Sequence, residues 1–206
     1  MSGHRSPAHA VLRCAAATAL AVAALAGCGA QAPPITAGPP GASPADGLTR
    51  IAGLAAERAV LSDRVAIAKS ATGGAITDPP REAAVLAGAR ASAVRDGVDP
   101  EWVARVVADQ IAASTQVQDA LTKQWAEHPD TRPAQRVDLA TVRPELDRIG
   151  RELVAALKVA QPARANEDCP SSLAQAAVAA AGPLDDVHKA ALGRALHSVC
   201  DRSSDS

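Results

Sequence analysis

Two cations lie on the apolar face of one helical stretch, and two neutral hydrogen-bonding side chains interrupt the apolar face of another. Leu54, Arg58, Leu61, Val65 and Lys69 are spaced 4, 3, 4 and 4, as in "AERAVLSDRVAIAK" at residues 56–69. Eleven residues turn a helix by about 1100°, close to three full turns, so Arg58 and Lys69 share a face about 16 Å apart along its axis. Further on, Val103, Val107, Ile111, Ser114, Gln118, Leu121 and Trp125 share a second face, with Ser114 and Gln118 as its polar interruptions. Unpaired charges on an apolar face are costly and need counter-charges or an anionic ligand. Pairing with Asp63, Asp78 or Glu82, or snorkelling at the domain edge, would satisfy each cation singly. Taken together, the four residues form a donor set with few acceptors, suited to a small dianion held between helices. No triad or dyad for nucleophilic catalysis accompanies them.

These residues need helices to position them. The chain holds 48 % hydrophobic residues, no Phe or Tyr, two Trp and one Met. A core of Leu, Val, Ile and Ala without aromatics or β-branched runs favours helices. The first helix is expected over Leu48–Ser70, ended by "ATGG". In "DPPREAAVLAGARASAVRDG", Asp78 is the expected N-cap, Pro79 fits the first helical position and Gly97 lies past the end. Arg81 and Glu82 fall in that first turn. Asp99 and Pro100 start a long third helix in the same way, and "EHPDTRPAQRVD" reads as a loop. A fourth helix covers Thr141–Ala160 with Arg143 at its start, and two shorter ones follow at Ser171–Ala181 and Pro183–Cys200. The expectation is an all-α single domain of about six helices, residues 48–206.

The N-terminus reads as an address. Arg5 and Arg13 precede the apolar run "CAAATALAVAALAG", the n-region and h-region of a secretory signal over residues 1–27. The run is short for a membrane span. It ends in "LAGC", which looks like a bacterial lipobox, with Cys28 as the lipidated residue. The alternative is an ordinary signal peptide cut nearby. Removing residues 1–27 removes two Arg and no acid, and leaves a net charge of −3. Residues 28–47, rich in Pro, Gly and Ala, read as a flexible tether. Cys169 and Cys200 remain as an even pair in an oxidising compartment, either bridged or as two free thiols. A bridge would close a loop of about 30 residues, worth about 3–4 kcal/mol in the chain-entropy model. No basic block or aromatic platform suggests nucleic acid, and no metal-ligand spacing appears.

At these residues the chain resembles the all-helical chorismate mutases, specifically the exported class. The resemblance spans Leu48–Cys200 and rests on "AERAVLSDRVAIAK", "DPPRE", "GVDPEWVARVVADQIAASTQVQ" followed by "QWAEHP", "DLATVRPELDRI", and the late Cys pair. It implies catalytic roles for Arg58, Lys69 and Gln118. It implies substrate binding by Asp78, Arg81, Glu82, Ser114 and Arg143, with Arg143 supplied by the same chain. Gln118 stands where some exported members carry Glu, and Val85 where some carry a polar amide. The implied substrate is chorismate, no cofactor or metal is implied, and a homodimer with a complete site in each chain is expected. Membrane contact would come only through a lipid on Cys28. Two other readings share these features: an isochorismate pyruvate lyase on the same fold, and a non-catalytic lipoprotein that binds a small anion or envelope partner.

Overall fold

A computed structural model describes residues 41–201. The expected signal segment and Cys28 lie outside the described residues. Six α-helices and one 3₁₀ turn make up the described chain. They are α1 (Pro44–Thr72), α2 (Pro79–Asp96), α3 (Pro100–Glu127), the turn Pro129–Thr131, α4 (Leu139–Arg164), α5 (Cys169–Ala181) and α6 (Asp186–Ala195).

α1 starts at Pro44, inside the segment expected to be tether. A capping box explains the early start. The Ser43 hydroxyl accepts the Asp46 N–H, and the Asp46 carboxylate accepts the Ser43 N–H at 2.8 Å. α2 and α3 begin where their Asp-Pro pairs predict, with the Asp78 and Asp99 side chains as N-caps. Gly73 and Gly97 end α1 and α2 at φ 66° and 71°, a left-handed backbone that a Cβ would strain. α4 starts at Leu139 because Asp138 caps it, accepting the Ala140 N–H at 2.8 Å. It also runs past Pro162 to Arg164. The carbonyl that loses its helical partner there belongs to exposed Lys158, which water can satisfy.

α1 is the hub, packed on α3, α4, α5 and α6. Gly47 permits its closest approach to α4. A Cβ at that position would meet the Ala160 backbone nitrogen at 2.6 Å. The core is built from Leu48, Ile51, Leu54, Trp102, Val106, Val117, Ile149 and Leu157, each at most 2 % exposed. α1 and α3 run in the same direction along their shared interface. Ser62 meets Ser114, and further along both helices Ala66 and Ile67 meet Trp125. α2 has one fully buried side chain, Ala93, and covers the gap between α3 and α4 through half-buried Val85, Leu86 and Ala89.

The last helix is shorter than its sequence suggests. Residues 196–200 turn instead of continuing α6, because α3 claims their backbone. Trp102 Nε1 donates to the Ser198 and Val199 carbonyls at 3.1 and 3.2 Å, and Asp109 Oδ2 accepts the Ser198 N–H at 3.0 Å. Cys169 and Cys200 form a disulfide, which ties the start of α5 to the end of this segment.

Candidate active site

A cavity of about 440 Å³ opens between α1, α2, α3 and α4. Arg58, Lys69, Asp78, Arg81, Glu82, Ser114, Gln118 and Arg143 all line it. Thus every residue singled out for substrate in the sequence faces one space, supplied by one chain. Val85 contributes apolar wall beside Ile111 and Leu146.

The α1–α3 seam carries the polar floor. Ser62, fully buried and four residues after Arg58, shares a 2.8 Å hydrogen bond with Ser114 and donates to the Arg58 carbonyl at 2.9 Å. Gln118 Nε2 donates to the Ser114 carbonyl at 3.0 Å, and the Ser114 hydroxyl lies 3.3 Å away. Gln118 Oε1 is buried without a partner. Arg58 Nε is likewise a buried donor without a partner. Burial pulls the Arg58 guanidinium down to about 10, against the Asp147 carboxylate that favours its charge. It stays cationic at neutral pH and lacks a bonded counter-ion, which is the condition for capturing an anion.

At the other end of α1, Lys69 donates through Nζ to the Ile76 carbonyl. Burial lowers its pKa, opposed by Asp78 and Glu82. Those two carboxylates are organised by the start of α2: Asp78 accepts the Arg81 N–H, and Glu82 Oε1 accepts the Asp78 N–H at 3.2 Å. Arg81 does not reach Glu82. Its Nη2 pairs with Asp147 on α4 at 3.1 Å. Asp63 is not the counter-ion of Arg58 or Lys69 either, because it bonds His188 of α6 at 2.9 Å. Its pKa is raised by burial, an effect that the His188 hydrogen bond offsets in part.

The lining and floor residues not singled out in the sequence include Ser62, Gln110, Asp147 and Arg151. The first three carry a usable signal. Ser62 is four after Arg58, Gln110 four before Ser114, and Asp147 four after Arg143, each one turn from a residue already on the face.

Over residues 49–119 the chain matches the family described as chorismate mutase type II. It is 37 % identical over 183 residues to the secreted chorismate mutase of Mycolicibacterium smegmatis, spanning 88 % of this chain and 97 % of that one. The chain belongs to the chorismate mutase family, in its secreted branch. The secreted chorismate mutase of Mycobacterium tuberculosis is 29 % identical over 168 residues, 79 % of this chain and 84 % of that one. The solved chorismate mutase of Burkholderia thailandensis superposes with a TM-score of 0.72 at 41 % identity, covering 75 % of this chain and 99 % of that one. That of Burkholderia phymatum gives 0.73 at 32 % identity, covering 77 % and 99 %. The family match ends before Arg143. What brings Arg143 to the cavity in the same chain is α4.

Proposed function

We propose that this cavity rearranges chorismate to prephenate outside the cytoplasm, an isomerisation that uses no cofactor. One observation carries the reading: five cationic side chains, Arg58, Lys69, Arg81, Arg143 and Arg151, line a single cavity with Ser114 and Gln118. Such a lining matches a dicarboxylate that must be folded into a reactive, chair-like conformer. The [3,3] shift breaks a C–O bond and forms a C–C bond without a nucleophile or proton carrier. Holding the near-attack conformer and stabilising charge on the ether oxygen are then the whole task.

Arg58 and Arg143 clamp the carboxylates, since guanidinium offers a planar fork, and Ser114 assists one of them. Lys69 and Gln118 donate to the ether oxygen. Lys69 has hydrogens to spare, because it has committed one of three to Ile76, whereas the Gln118 amide nitrogen must release one of its two Ser114 acceptors to do so. Glu82, held by the Asp78 N–H, takes the ring hydroxyl. Arg81, held by Asp147, adds positive potential at the cavity wall. Cys28 carries a lipid that anchors the exported domain, and mass spectrometry of the membrane-associated protein beside Cys28→Ser tests this. Two chains would associate with one complete site in each, a state that sedimentation reads directly.

The deciding assay follows loss of chorismate absorbance with residues 29–206, disulfide oxidised, and identifies the product. Lys69→Ala should lower turnover by roughly two orders of magnitude, as removal of an oxyanion donor does. Near-normal turnover in that variant removes Lys69 from the mechanism.

A further inference from the structure

The serine pair Ser62–Ser114 fixes the register of α1 on α3, and because the two helices run the same way, residues equally far from it lie at the same level. One turn towards both N-termini stand Arg58 on α1 and Gln110 on α3. Each carries a buried polar atom without a partner, and the two are complementary: Arg58 Nε is a donor, Gln110 Oε1 an acceptor. Both residues line the same cavity. Gln110 is 2 % exposed. Its amide cannot be turned round at no cost, because Nε2 donates to the Ala195 carbonyl at the end of α6, 3.3 Å away. A reversed amide would set oxygen against oxygen there. The other orphan acceptor, Gln118 Oε1, belongs to a residue one turn to the opposite side of the serine pair.

We propose that Gln110 is a positioning residue for the substrate clamp: its Oε1 accepts the Arg58 Nε–H when the cavity is loaded, fixing the plane of the guanidinium. Gln110 touches no reacting atom. It passes the rigidity of the α6 end, through Ala195, to the side chain that grips a carboxylate. The Nε–H is the donor that a fork-on bidentate clamp through the two terminal nitrogens leaves unused, so binding substrate and bonding Gln110 do not compete. Burying an ionised donor unmatched is expensive, and this acceptor removes that cost at the moment the site closes. The inference rests on Arg58 being the clamp of the proposed reaction.

The test uses Gln110→Met, which keeps volume and removes the acceptor, and Gln110→Glu, which keeps an acceptor and loses the donor to Ala195. The first readout needs no turnover. In ¹⁵N-labelled protein, the Arg58 Nε–H resonance, assigned by its loss in Arg58→Lys, should be slow to exchange with solvent in the presence of chorismate or prephenate. It should exchange at least about tenfold faster in Gln110→Met and remain protected in Gln110→Glu. The second readout is kinetic. Gln110→Met should raise KM about tenfold with a smaller change in kcat, and add nothing further in an Arg58→Ala background. Unchanged exchange of the Arg58 Nε–H in Gln110→Met overturns the proposal, as does an effect that persists in full in the Arg58→Ala background. If the wild type binds neither compound and turns over no chorismate, the functional reading itself has failed.

Discussion

Arg58 and Arg164 are both sunk into this helical domain, and they differ in what their donors meet. Arg164, with its side chain 9 % exposed, sends Nη1 to Asp99 Oδ2 at 3.0 Å and Nε to the Asp201 carbonyl. Its guanidinium lies 4.7 Å over the Trp102 ring. Arg58 has its Nε buried without a partner and its pKa pulled down by burial. An arginine whose donors are spent locks elements together, here α4 to the start of α3 and the C-terminal segment. An arginine whose donors are unspent is kept for a ligand, at the expense of stability. Identical chemistry thus serves architecture at one site and capture at the other.

Replacing each by Met should separate the two roles, and this is the largest contrast. Arg58→Met should lower kcat/KM by roughly 10²–10³-fold while thermal stability holds or rises, because an unmatched buried charge has been exchanged for an apolar side chain. Arg164→Met should do the reverse. It removes the ion pair to Asp99 and uncovers Trp102, for a loss of about 3 kcal/mol, with activity per folded molecule unchanged. Denaturant melts beside the chorismate assay read both. Equal loss of activity in the two folded variants would break the comparison.

The disulfide belongs to the architectural side. Cys169 and Cys200 are 31 residues apart in sequence and bridged in the structure, so the double Ser variant should lose about 3 kcal/mol. Its kcat, measured well below its melting temperature, should stay near that of the wild type. A collapse of kcat in a still-folded variant would show that the staple reaches the cavity, and α6 through Gln110 is the route it would take.

Both arginines also show how far the sequence could be read. Arg58 was legible because a cation on an apolar stripe needs a reason, and a second one eleven residues on needs the same reason. The starts of α2 and α3 were legible because Asp-Pro states an N-cap and N1 together. Arg164 carried no such signal. It sits where a proline suggested the helix had ended, and its partners come from α3 and from beyond α6. Asp147 could be placed on its face by spacing, but its pairing with Arg81, which joins α4 to α2, could not be read from either helix. The end of α6 failed for a related reason: its backbone hydrogen bonds go to Trp102 and Asp109, some ninety residues away in sequence. Local pattern reports what a residue does to its own helix. Contacts that depend on a distant element are set only when the helices pack.

A smaller effect separates a third buried cation site from both arginines. His188 sits between Asp185, at 2.7 Å, and Asp63, at 2.9 Å. Burial lowers its pKa, but the two carboxylates outweigh that and leave it raised. A histidine whose folded pKa is raised contributes stability that is fully present below the unfolded value of about 6.5 and is lost as pH rises through the folded value. His188→Gln should therefore be less stable than the wild type by about 1 kcal/mol near pH 5.5, since both carboxylates are partly exposed. The gap should close towards pH 8. A gap that widens as pH rises would show that the neutral ring, and not the imidazolium, holds α6 to α1.

The smallest expected effect is a flat line, and it bears on the ligand side of the comparison. Gln118 has no titrating proton, so as a donor to the ether oxygen it works at every ordinary pH. A Glu in its place would donate only when protonated. Chorismate turnover by the wild type should stay nearly constant from weakly acidic to weakly alkaline pH. It should fall only on the alkaline side, where Lys69, already lowered by burial, loses its charge. Gln118→Glu should convert that profile into one that declines as pH rises through the acidic range, with its best activity at the acidic end. A steep loss in the wild type between pH 5 and 7 would mean that a titrating carboxyl, and not this amide, supplies the second hydrogen bond to the breaking C–O bond.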